Sequence, residues 1–263
     1  MDLQLKDKKI LITGATRGIG FGVVRRFAEA GAQLWIHGSN KKSCEVARIK
    51  LLNEYPSAAI VESPCDFLDN EALFVWINAL PEMDVLVNNL GIYRSEPFFD
   101  MSDEGWFQQH QVNVMGGVRL CRHFMPKMLK KGWGRILFVS SECSQLVPED
   151  LIAYSTTKAA LETLTKGLAK LTRNTAVTVN CIQPGSTLTE GAENFLQNQS
   201  EAAGKTVEEI AEEFFTAQRP ASTLQRFATV DEVASTLVYF CSPLAAATNG
   251  SCIAVDGGST LGT

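Results

Sequence analysis

The sequence predicts a single α/β domain in which a parallel sheet is covered by helices on both faces. Short apolar runs alternate with longer amphipathic segments from Lys8 to about Gly185, as they do in chains of βαβ units. Several runs are apolar at consecutive positions, which is typical of strands buried on both faces. Because no repeat or Gly/Ser-rich linker divides the 263 residues, we expect one doubly wound domain over residues 1–263.

Seven apolar runs predict the strands of a seven-stranded parallel sheet. They cover residues 9–13, 33–37, 58–61, 85–88, 135–140, 176–182 and 252–255. Amphipathic segments predict helices over residues 18–30, 41–54, 70–80, 103–131, 153–172 and 231–241. Such sheets bind ligands beyond the carboxyl ends of their strands, where the strand order reverses. The residues that follow each strand are therefore the first candidates for function.

Residues 187–226 interrupt this alternation. The segment contains no predicted strand and carries seven glutamates, whereas Lys205 is its only basic residue before Arg219. Its apolar faces are supplied by Phe195, Leu196, Phe214 and Phe215. We interpret it as a small helical insertion that either closes over a site as a lid or packs as an ordinary surface helix pair. As a lid, its acidity would disfavour strongly anionic substrates.

Composition excludes several classes of partner. The net charge is −5, from 24 basic and 29 acidic residues, so no overall field attracts nucleic acid or an anionic membrane. The uncharged stretch 233–255 contains Pro243, Asn249 and Gly250, which fits a buried helix, turn and strand better than a membrane span. We expect a small-molecule ligand and, because the start of the chain lacks a secretory signal pattern, a cytoplasmic location.

The cysteine and histidine residues predict no metal site. Seven cysteines form an odd set without a CxxC pair, and the three histidines lie far from any ligand-like spacing. Reduced thiols in the cytosol are the simplest interpretation.

The first predicted strand runs into a glycine-rich turn, Thr13-Gly14-Ala15-Thr16-Arg17-Gly18-Ile19-Gly20. Glycines at this point let the backbone approach a pyrophosphate, which the N–H groups and positive end of the following helix attract. Tight turns without a ligand also use glycine, but the position between the first strand and the first helix favours nucleotide binding. The candidate contacts are Gly14, Thr16, Arg17, Gly18, Ile19 and Gly20.

The TGxxxGxG spacing of this turn resembles that of the short-chain dehydrogenase/reductase family, and later segments match the family in order along the whole chain. They are Asn88-Asn89-Leu90-Gly91, with leucine in place of the family's alanine, Tyr154-Ser155-Thr156-Thr157-Lys158, Asn180-Cys181-Ile182-Gln183-Pro184-Gly185 and Val255-Asp256-Gly257-Gly258. The resemblance implies a Rossmann-type fold and further dinucleotide contacts from Asp66, Phe67, Asn89, Gly91, Pro184, Gly185, Thr187 and Thr189.

The YxxxK segment supplies the groups that carbonyl reduction requires. A tyrosine has a reference pKa of about 10, and Lys158 lies one helical turn from Tyr154, where its charge can stabilise a phenolate. By resemblance, Tyr154 is the acid, Lys158 also holds the nicotinamide ribose, Ser141 polarises the carbonyl, and Asn113 supports a water that connects Lys158 to solvent. Taken singly, these residues are also compatible with a surface pair, a cap hydroxyl and a structural asparagine.

The end of the second strand determines the expected cofactor. NAD-preferring relatives have an aspartate at this point, whereas this chain has His37-Gly38-Ser39-Asn40-Lys41-Lys42. A carboxylate there accepts hydrogen bonds from the ribose 2′-OH, so its absence favours NADP(H) over NAD(H). We expect Arg17, Ser39 and Asn40 to surround the 2′-phosphate and the two lysines to be solvated.

The substrate pocket is predicted from the residues that follow the other strands. The candidates are Tyr93, Glu142, Cys143, Leu146, Ser186, Leu188 and Phe195. Glu142 is unusual beside the family's serine, and it either meets a polar or cationic substrate or turns outward to water.

The resemblance implies an NADP(H)-dependent oxidoreductase that interconverts a carbonyl and a secondary alcohol. A 3-oxoacyl-carrier-protein reductase is a subtype, in which Lys127, Lys130 and Lys131 would dock the acidic carrier. The alternative from another class is a catalytically silent NADP(H)-binding sensor. The resemblance also implies a homotetramer, or a dimer, assembled through helices 103–131 and 153–172 and the C-terminal strand.

Overall fold

A parallel sheet forms the centre of the protein in the computed structural model, which describes residues 2–260. The strands in chain order are β1 (Lys9–Ile12), β2 (Gln33–Ile36), β3 (Ala59–Glu62), β4 (Val85–Asn88), β5 (Trp133–Val139), β6 (Ala176–Pro184), β7 (Thr187–Leu188), β8 (Ala228–Thr229) and β9 (Cys252–Val255). Seven of them form one sheet in the order β3-β2-β1-β4-β5-β6-β9, and every pairing in it is parallel. The predicted seven-stranded sheet is confirmed.

The described residues contain ten α-helices, and all but the short α6 lie in segments that the sequence predicts to be helical. They are α1 (Gly18–Glu29), α2 (Lys41–Glu54), α3 (Asn70–Ala79), α4 (Asp103–His110), α5 (Gly116–Lys131), α6 (Cys143–Leu146), α7 (Ile152–Ala169), α8 (Glu190–Ala203), α9 (Val207–Gln218) and α10 (Val230–Cys241). The predicted continuous helix over residues 103–131 is interrupted, because a π-helical segment, Gln111–Met115, separates α4 from α5.

The core has two parts, one on each face of the sheet. Residues of α1, α2 and α10 pack on one face, and residues of α3, α5 and α7 pack on the other. Adjacent β4 residues point to opposite faces, since Val85 and Val87 belong to the first cluster and Leu86 to the second. Burial on both faces explains why these strands are continuously apolar.

The segment 187–226 is helical, as predicted, but the absence of a strand from it was wrong. Thr187–Leu188 pairs in parallel with Ala228–Thr229, so that β7 and β8 close the base of the segment from which α8 and α9 project. Two residues are too few to produce a recognisable apolar run. We call residues 189–227 the helical flap.

No helix within residues 2–260 has the length and apolar character to cross a membrane. The uncharged stretch 233–255 forms most of α10, a turn and β9. All seven cysteines are free thiols. In the described part of the chain, no group of three or more His, Cys, Asp or Glu residues is arranged so that it could hold a metal ion.

Candidate active site

A cleft of about 1220 Å³ lies beyond the carboxyl ends of β1 and β4. From β1 the chain adds β2 and β3 towards one edge of the sheet, and from β4 it adds β5 and β6 towards the other edge. The cleft therefore lies at the point where the strand order reverses. Its volume exceeds the 300–1,000 Å³ typical of a pocket for a drug-sized ligand. The structure brings sixteen of the predicted cofactor residues to this cleft: Gly14, Thr16, Arg17, Gly18, Ile19, Gly20, Ser39, Asn40, Asn89, Gly91, Tyr154, Lys158, Pro184, Gly185, Thr187 and Thr189.

The glycine turn requires its glycines. Gly14 and Gly18 have φ of +62° and +53°, in the left-handed region that side chains with a Cβ rarely adopt. A Cβ at Gly20 would lie 2.1 Å from the carbonyl oxygen of Gly14. The tight turn places the start of α1 in the cleft, where the Gly18 N–H donates to the Glu190 carboxylate and so already faces an anion.

The turn after β4 holds the glycine turn in place. Thr13 Oγ1 accepts hydrogen bonds from the backbone N–H groups of Asn89 and Leu90, each at 3.0 Å. In return, Asn89 Nδ2 donates to the carbonyl oxygens of Thr13 and Gly14, both at 2.9 Å. Asn89 thus both lines the cleft and fixes the backbone that surrounds it.

His37 is a supporting residue that sequence reasoning missed. Burial lowers the pKa of this fully buried imidazole to about 4, so the ring is neutral near pH 7. Its Nδ1 accepts a hydrogen bond from Gly14 N–H at 3.1 Å, and its Nε2 lies 2.9 Å from the Cys65 carbonyl oxygen. The accepting Nδ1 fixes the tautomer, in which Nε2–H donates. His37 therefore connects the glycine turn to the end of β3.

The second cation at the adenosine end of the cleft is Lys42. It lines the cleft together with Arg17, Ser39 and Asn40, whereas its neighbour Lys41 does not. Both lysines are exposed, as predicted, and Lys42 in addition borders the cleft. Sequence spacing could not separate them, because adjacent residues at the start of α2 differ only in the direction that the helix gives each side chain.

Tyr154 and Lys158 lie on the first two turns of α7, where they face the cleft. Lys158 Nζ is 5.2 Å from the centroid of the Tyr154 ring and donates a hydrogen bond to the Val139 carbonyl oxygen at 2.8 Å. Only 3% of Lys158 is exposed. A surface pair is therefore excluded.

Burial changes the acidity of both groups. It lowers the pKa of Lys158 to about 8, and it raises the pKa of Tyr154 above its ordinary value, although a hydrogen bond with Ser141 acts in the opposite direction. At neutral pH the phenol is therefore protonated. This is the form that donates a proton to a carbonyl oxygen as the oxygen gains negative charge.

Ser141 lies two residues after the end of β5 and lines the cleft. Its Oγ accepts a hydrogen bond from Cys143 N–H at 3.2 Å, and its hydroxyl is hydrogen-bonded with Tyr154, so the two hydroxyls lie side by side. The serine is thus a turn hydroxyl and a candidate donor at once, and the two interpretations do not exclude each other.

Asn113 lies behind the cleft, within the π-helical segment. Its Oδ1 accepts from Ile92 N–H at 2.8 Å, and its Nδ2 donates to the Ile92 carbonyl oxygen at 2.8 Å and to Thr157 Oγ1 at 3.0 Å. These bonds fix the loop that carries Gly91, where a Cβ would lie 3.1 Å from Lys158 Nζ. The contacts give Asn113 a structural role, and its connection to a water remains a prediction.

Two predicted cofactor residues lie outside the cleft. Asp66 is exposed and its Oδ1 accepts from Leu68 N–H. Phe67 is 3% exposed and packs against His37 and Trp76. The side chain of Phe67 is therefore a core contact that supports His37, and a cofactor contact at this residue stays a prediction.

Only some of the predicted substrate residues line the cleft. Tyr93 and Phe195 line the cleft, whereas five others do not: Glu142, Cys143, Leu146, Ser186 and Leu188. Cys143 is buried. Glu142 neither faces the open cleft nor turns outward to water, because it is 2% exposed and forms an ion pair with Arg219. Sequence spacing gave no signal for this contact, since 77 residues separate the partners.

The predicted basic cluster at the end of α5 is partly neutralised. Lys131 forms an ion pair with Asp84, and Lys127 Nζ lies 2.9 Å from His123 Nε2. Lysines at a helix C-terminus are favoured by the helix dipole without any partner.

A family described as Enoyl-(Acyl carrier protein) reductase matches residues 14–260. This chain belongs to the short-chain dehydrogenase/reductase family. Among its relatives, the oxidoreductase YvrD of Bacillus subtilis is 40% identical, with 98% of each chain covered. The 3-oxoacyl-[acyl-carrier-protein] reductase FabG of Aquifex aeolicus is 31% identical, with 98% of this chain and 99% of the relative covered.

Solved structures agree with this assignment. L-Sorbose reductase from Gluconobacter frateurii, complexed with NADPH and L-sorbose, covers the whole of both chains with a TM-score of 0.92 at 28% identity. A protein from Beutenbergia cavernae that is described as an NAD(P)-dependent gluconate 5-dehydrogenase, with NADP bound at low occupancy, has a TM-score of 0.84 at 28% identity, and the match covers 98% of this chain and 99% of that one. The protein is thus an NAD(P)-dependent oxidoreductase of the short-chain dehydrogenase/reductase family, acting on alcohols or ketones.

Proposed function

We propose that this short-chain dehydrogenase/reductase uses NADP(H) to interconvert a ketone and a secondary alcohol, with Tyr154 as the acid and base. The observation that carries the proposal is the arrangement of Ser141, Tyr154 and Lys158 in the same cleft as the glycine turn. A sensor that has lost turnover needs Lys158 for the ribose, but it has no need of the Ser141 and Tyr154 hydroxyls side by side.

Each polar group has a defined task in the reduction. A bound nicotinamide supplies the hydride. Ser141 donates a hydrogen bond to the substrate oxygen, and Tyr154 delivers the proton to it. Lys158 stabilises the phenolate that remains, because its Nζ is 5.2 Å from the ring centroid. In the oxidation direction the phenolate takes the proton back.

Preference for NADP(H) is supported by the charges around the end of β2. Arg17 and Lys42 line the cleft there with Ser39, and no acid does so between Gly38 and Val46. A 2′-phosphate gains charge-assisted hydrogen bonds from such groups. The NADPH and NADP in the solved L-sorbose reductase and gluconate 5-dehydrogenase support the same choice.

For the substrate we propose a neutral carbonyl compound, such as a ketose or another hydroxylated ketone. L-Sorbose is the ligand of the structurally similar reductase. The helical flap begins with Glu190 and Glu193 in the first turn of α8, which disfavours anionic substrates. The 3-oxoacyl-carrier-protein reductase alternative rests on relatives such as that of Aquifex aeolicus, but Lys131 is engaged by Asp84.

The test is NADPH consumption with a panel of ketoses, neutral ketones, diketones, quinones and β-ketoacyl thioesters. We expect a ketose or neutral ketone to be reduced fastest. Faster reduction of β-ketoacyl thioesters would overturn the neutral-substrate proposal and favour the carrier-protein subtype. NADPH binding without turnover of any compound would favour the sensor.

We further propose a homotetramer in the cytoplasm. Aromatic side chains on and before α4 are exposed: Phe98 by 50%, Phe99 by 94% and Phe107 by 68%. Grouped exposed apolar side chains favour association with another chain, and seven free thiols favour a reducing compartment. Light scattering should give four times the 28.7 kDa chain mass, and a monomer would refute the assembly without affecting the chemistry.

A further inference from the structure

One buried ion pair joins the helical flap to the catalytic serine. Arg219 Nε lies 2.5 Å from Glu142 Oε1, and the two side chains are 10% and 3% exposed. Every other ion pair within residues 2–260 has a partner that is more than a third exposed. Exposed pairs contribute little, whereas a buried carboxylate needs its partner to remain ionised.

The position of the pair in the chain connects three segments. Glu142 directly follows Ser141, and its N–H donates to the Pro184 carbonyl oxygen at 2.9 Å. Ser186 Oγ donates to Glu142 Oε1 at 3.0 Å. Arg219 directly follows α9 of the flap. A single carboxylate oxygen therefore joins the end of β5, the end of β6 and the end of the flap.

The other oxygen of this carboxylate makes the arrangement depend on Arg219. Glu142 Oε2 is buried and has no hydrogen-bond partner. Both oxygens of a buried carboxylate normally accept hydrogen bonds. Because Oε2 accepts none, the negative charge of Glu142 is stabilised largely by the guanidinium of Arg219. Arg219 Nη1 also donates to the Gln218 carbonyl oxygen at 2.7 Å and its guanidinium lies 5.5 Å from the Phe214 ring, which fixes the cation to α9.

Both charges act on the neighbourhood of Tyr154. Burial raises the pKa of the Cys143 thiol, and Arg219 and Glu142 act on it in opposite directions. Burial also raises the pKa of Tyr154, and the Glu142 charge adds to that rise. The ionisable side chains that face Tyr154 come from every surrounding element: Lys158 on α7, Cys143 on α6, Tyr93 after β4 and Glu142 after β5.

We propose that Glu142 and Arg219 are positioning residues, which dock the flap against the catalytic serine and cancel each other's charge beside Tyr154. The inference rests on the proposed function for Tyr154. While the pair is intact, Arg219 is compensated by Glu142, and the cation of the described residues that lies against the phenol ring is Lys158. The flap is docked by the same contact, so its position and the electrostatics of the acid are coupled.

The test is the pH dependence of kcat/KM for four variants, measured with the panel compound that the wild type reduces fastest. Glu142→Gln leaves Arg219 uncompensated, so the apparent pKa of the alkaline limb, which Tyr154 and Lys158 set together, should fall by about half to one pH unit. Arg219→Met leaves the carboxylate, so the apparent pKa should rise. Glu142→Gln with Arg219→Met removes both charges and should return the pKa to the wild-type value. Glu54→Gln, which breaks the exposed pair with Arg25, is the matched control and should shift nothing.

Docking has its own readout, which needs no substrate. Amide hydrogen exchange over Val207–Gln218 should become faster in Arg219→Met and, to a smaller degree, in Arg219→Lys. The lysine keeps the charge, so its pH profile should match that of the wild type. It also provides the comparison if Arg219→Met does not fold.

The inference is overturned if both single variants shift the apparent pKa in the same direction or leave it unchanged, or if exchange over α9 is unaltered. The proposed function fails separately, if Tyr154→Phe retains wild-type turnover. That result leaves the exchange measurement intact, so the two failures are distinguishable.

Discussion

At the scale of single residues, the site depends on groups whose charged forms the fold disfavours. Lys158 is the clearest case, because burial lowers its pKa from 10.5 to about 8. The unfolded chain keeps this proton up to about pH 10.5 and the folded chain only up to about 8. This group therefore makes the folded state less stable below pH 8, and stability rises with pH between 8 and 10.5.

We therefore expect Lys158→Met to abolish turnover and to stabilise the cofactor-free protein by about 1 to 3 kcal/mol at pH 7. The gain should shrink between pH 8 and 10.5, as the wild-type lysine loses its proton. Urea unfolding of both proteins at pH 7 and pH 9.5 measures the difference. A destabilised variant, or a gap that does not depend on pH, would contradict the role of burial.

Lys41 and Lys42, the first two residues of α2, allow a controlled test of the preference for NADPH over NADH. Lys42 lines the cleft and Lys41 does not. Lys42→Met should weaken NADPH binding roughly tenfold, because one charge-assisted hydrogen bond to the 2′-phosphate is lost, and should leave NADH binding unchanged. Lys41→Met should affect neither dissociation constant. Equal losses for NADPH and NADH would exclude a 2′-phosphate contact.

The residues that line the site are easier to predict from the sequence than the residues that hold them in position. Gly14, Ser141, Tyr154 and Lys158 lie within short motifs, and each motif has a chemical reason for its spacing. The contacts of His37 and Arg219 are not local in sequence: His37 meets Cys65, 28 residues away, and Arg219 meets Glu142. No spacing rule connects such partners, so only the fold reveals them.

At the scale of elements, the largest departure from the predicted helices is the π-helical segment Gln111–Met115. The chain is helical on both sides of this segment and no Gly/Pro break separates α4 from the start of α5, so the sequence predicts one helix over residues 103–131. The wider turn contains Asn113, whose amide bonds both backbone groups of Ile92. Such segments often occur at functional sites.

A second element-scale feature is a carboxylate at the start of α1. Gly18 N–H donates to Glu190 Oε2 at 2.9 Å, and Glu190 is the first residue of α8. The N-terminus of a helix attracts anions, so this carboxylate takes a position that suits a cofactor phosphate. Under the proposed function, Glu190 has to withdraw when the cofactor binds.

Glu190→Gln should therefore bind NADPH roughly two- to fivefold more tightly than the wild type, because a neutral amide competes less well for the helix terminus. Glu193→Gln, one turn further along α8, is the control and should have little effect. Fluorescence titration with NADPH measures both. Weaker binding by Glu190→Gln would show that the glutamate supports the cofactor site.

At the scale of the whole molecule, the strand count and the parallel sheet follow from the sequence because βαβ units have few alternatives. Once the alternating strands and helices are known, right-handed crossovers and burial of both sheet faces leave few possible arrangements of the strands. The pairing of β7 with β8 could not be predicted in this way, because two residues give no pattern. The proposed tetramer would depend on surfaces such as that around Phe107, and composition does not distinguish such a surface from the side of a helix that faces the core.

The central claim is that Tyr154 transfers the proton in an NADPH-dependent reduction. The most direct measurement is kcat with the fastest panel compound for Tyr154→Phe, alongside the NADPH dissociation constant. We expect kcat to fall by 10²- to 10⁴-fold with NADPH binding within about threefold of the wild type, since the ring and its contact with Tyr93 remain. Tyr239→Phe, a partly exposed tyrosine on α10, is the matched control and should retain full activity. Turnover by Tyr154→Phe at the wild-type rate would contradict the account.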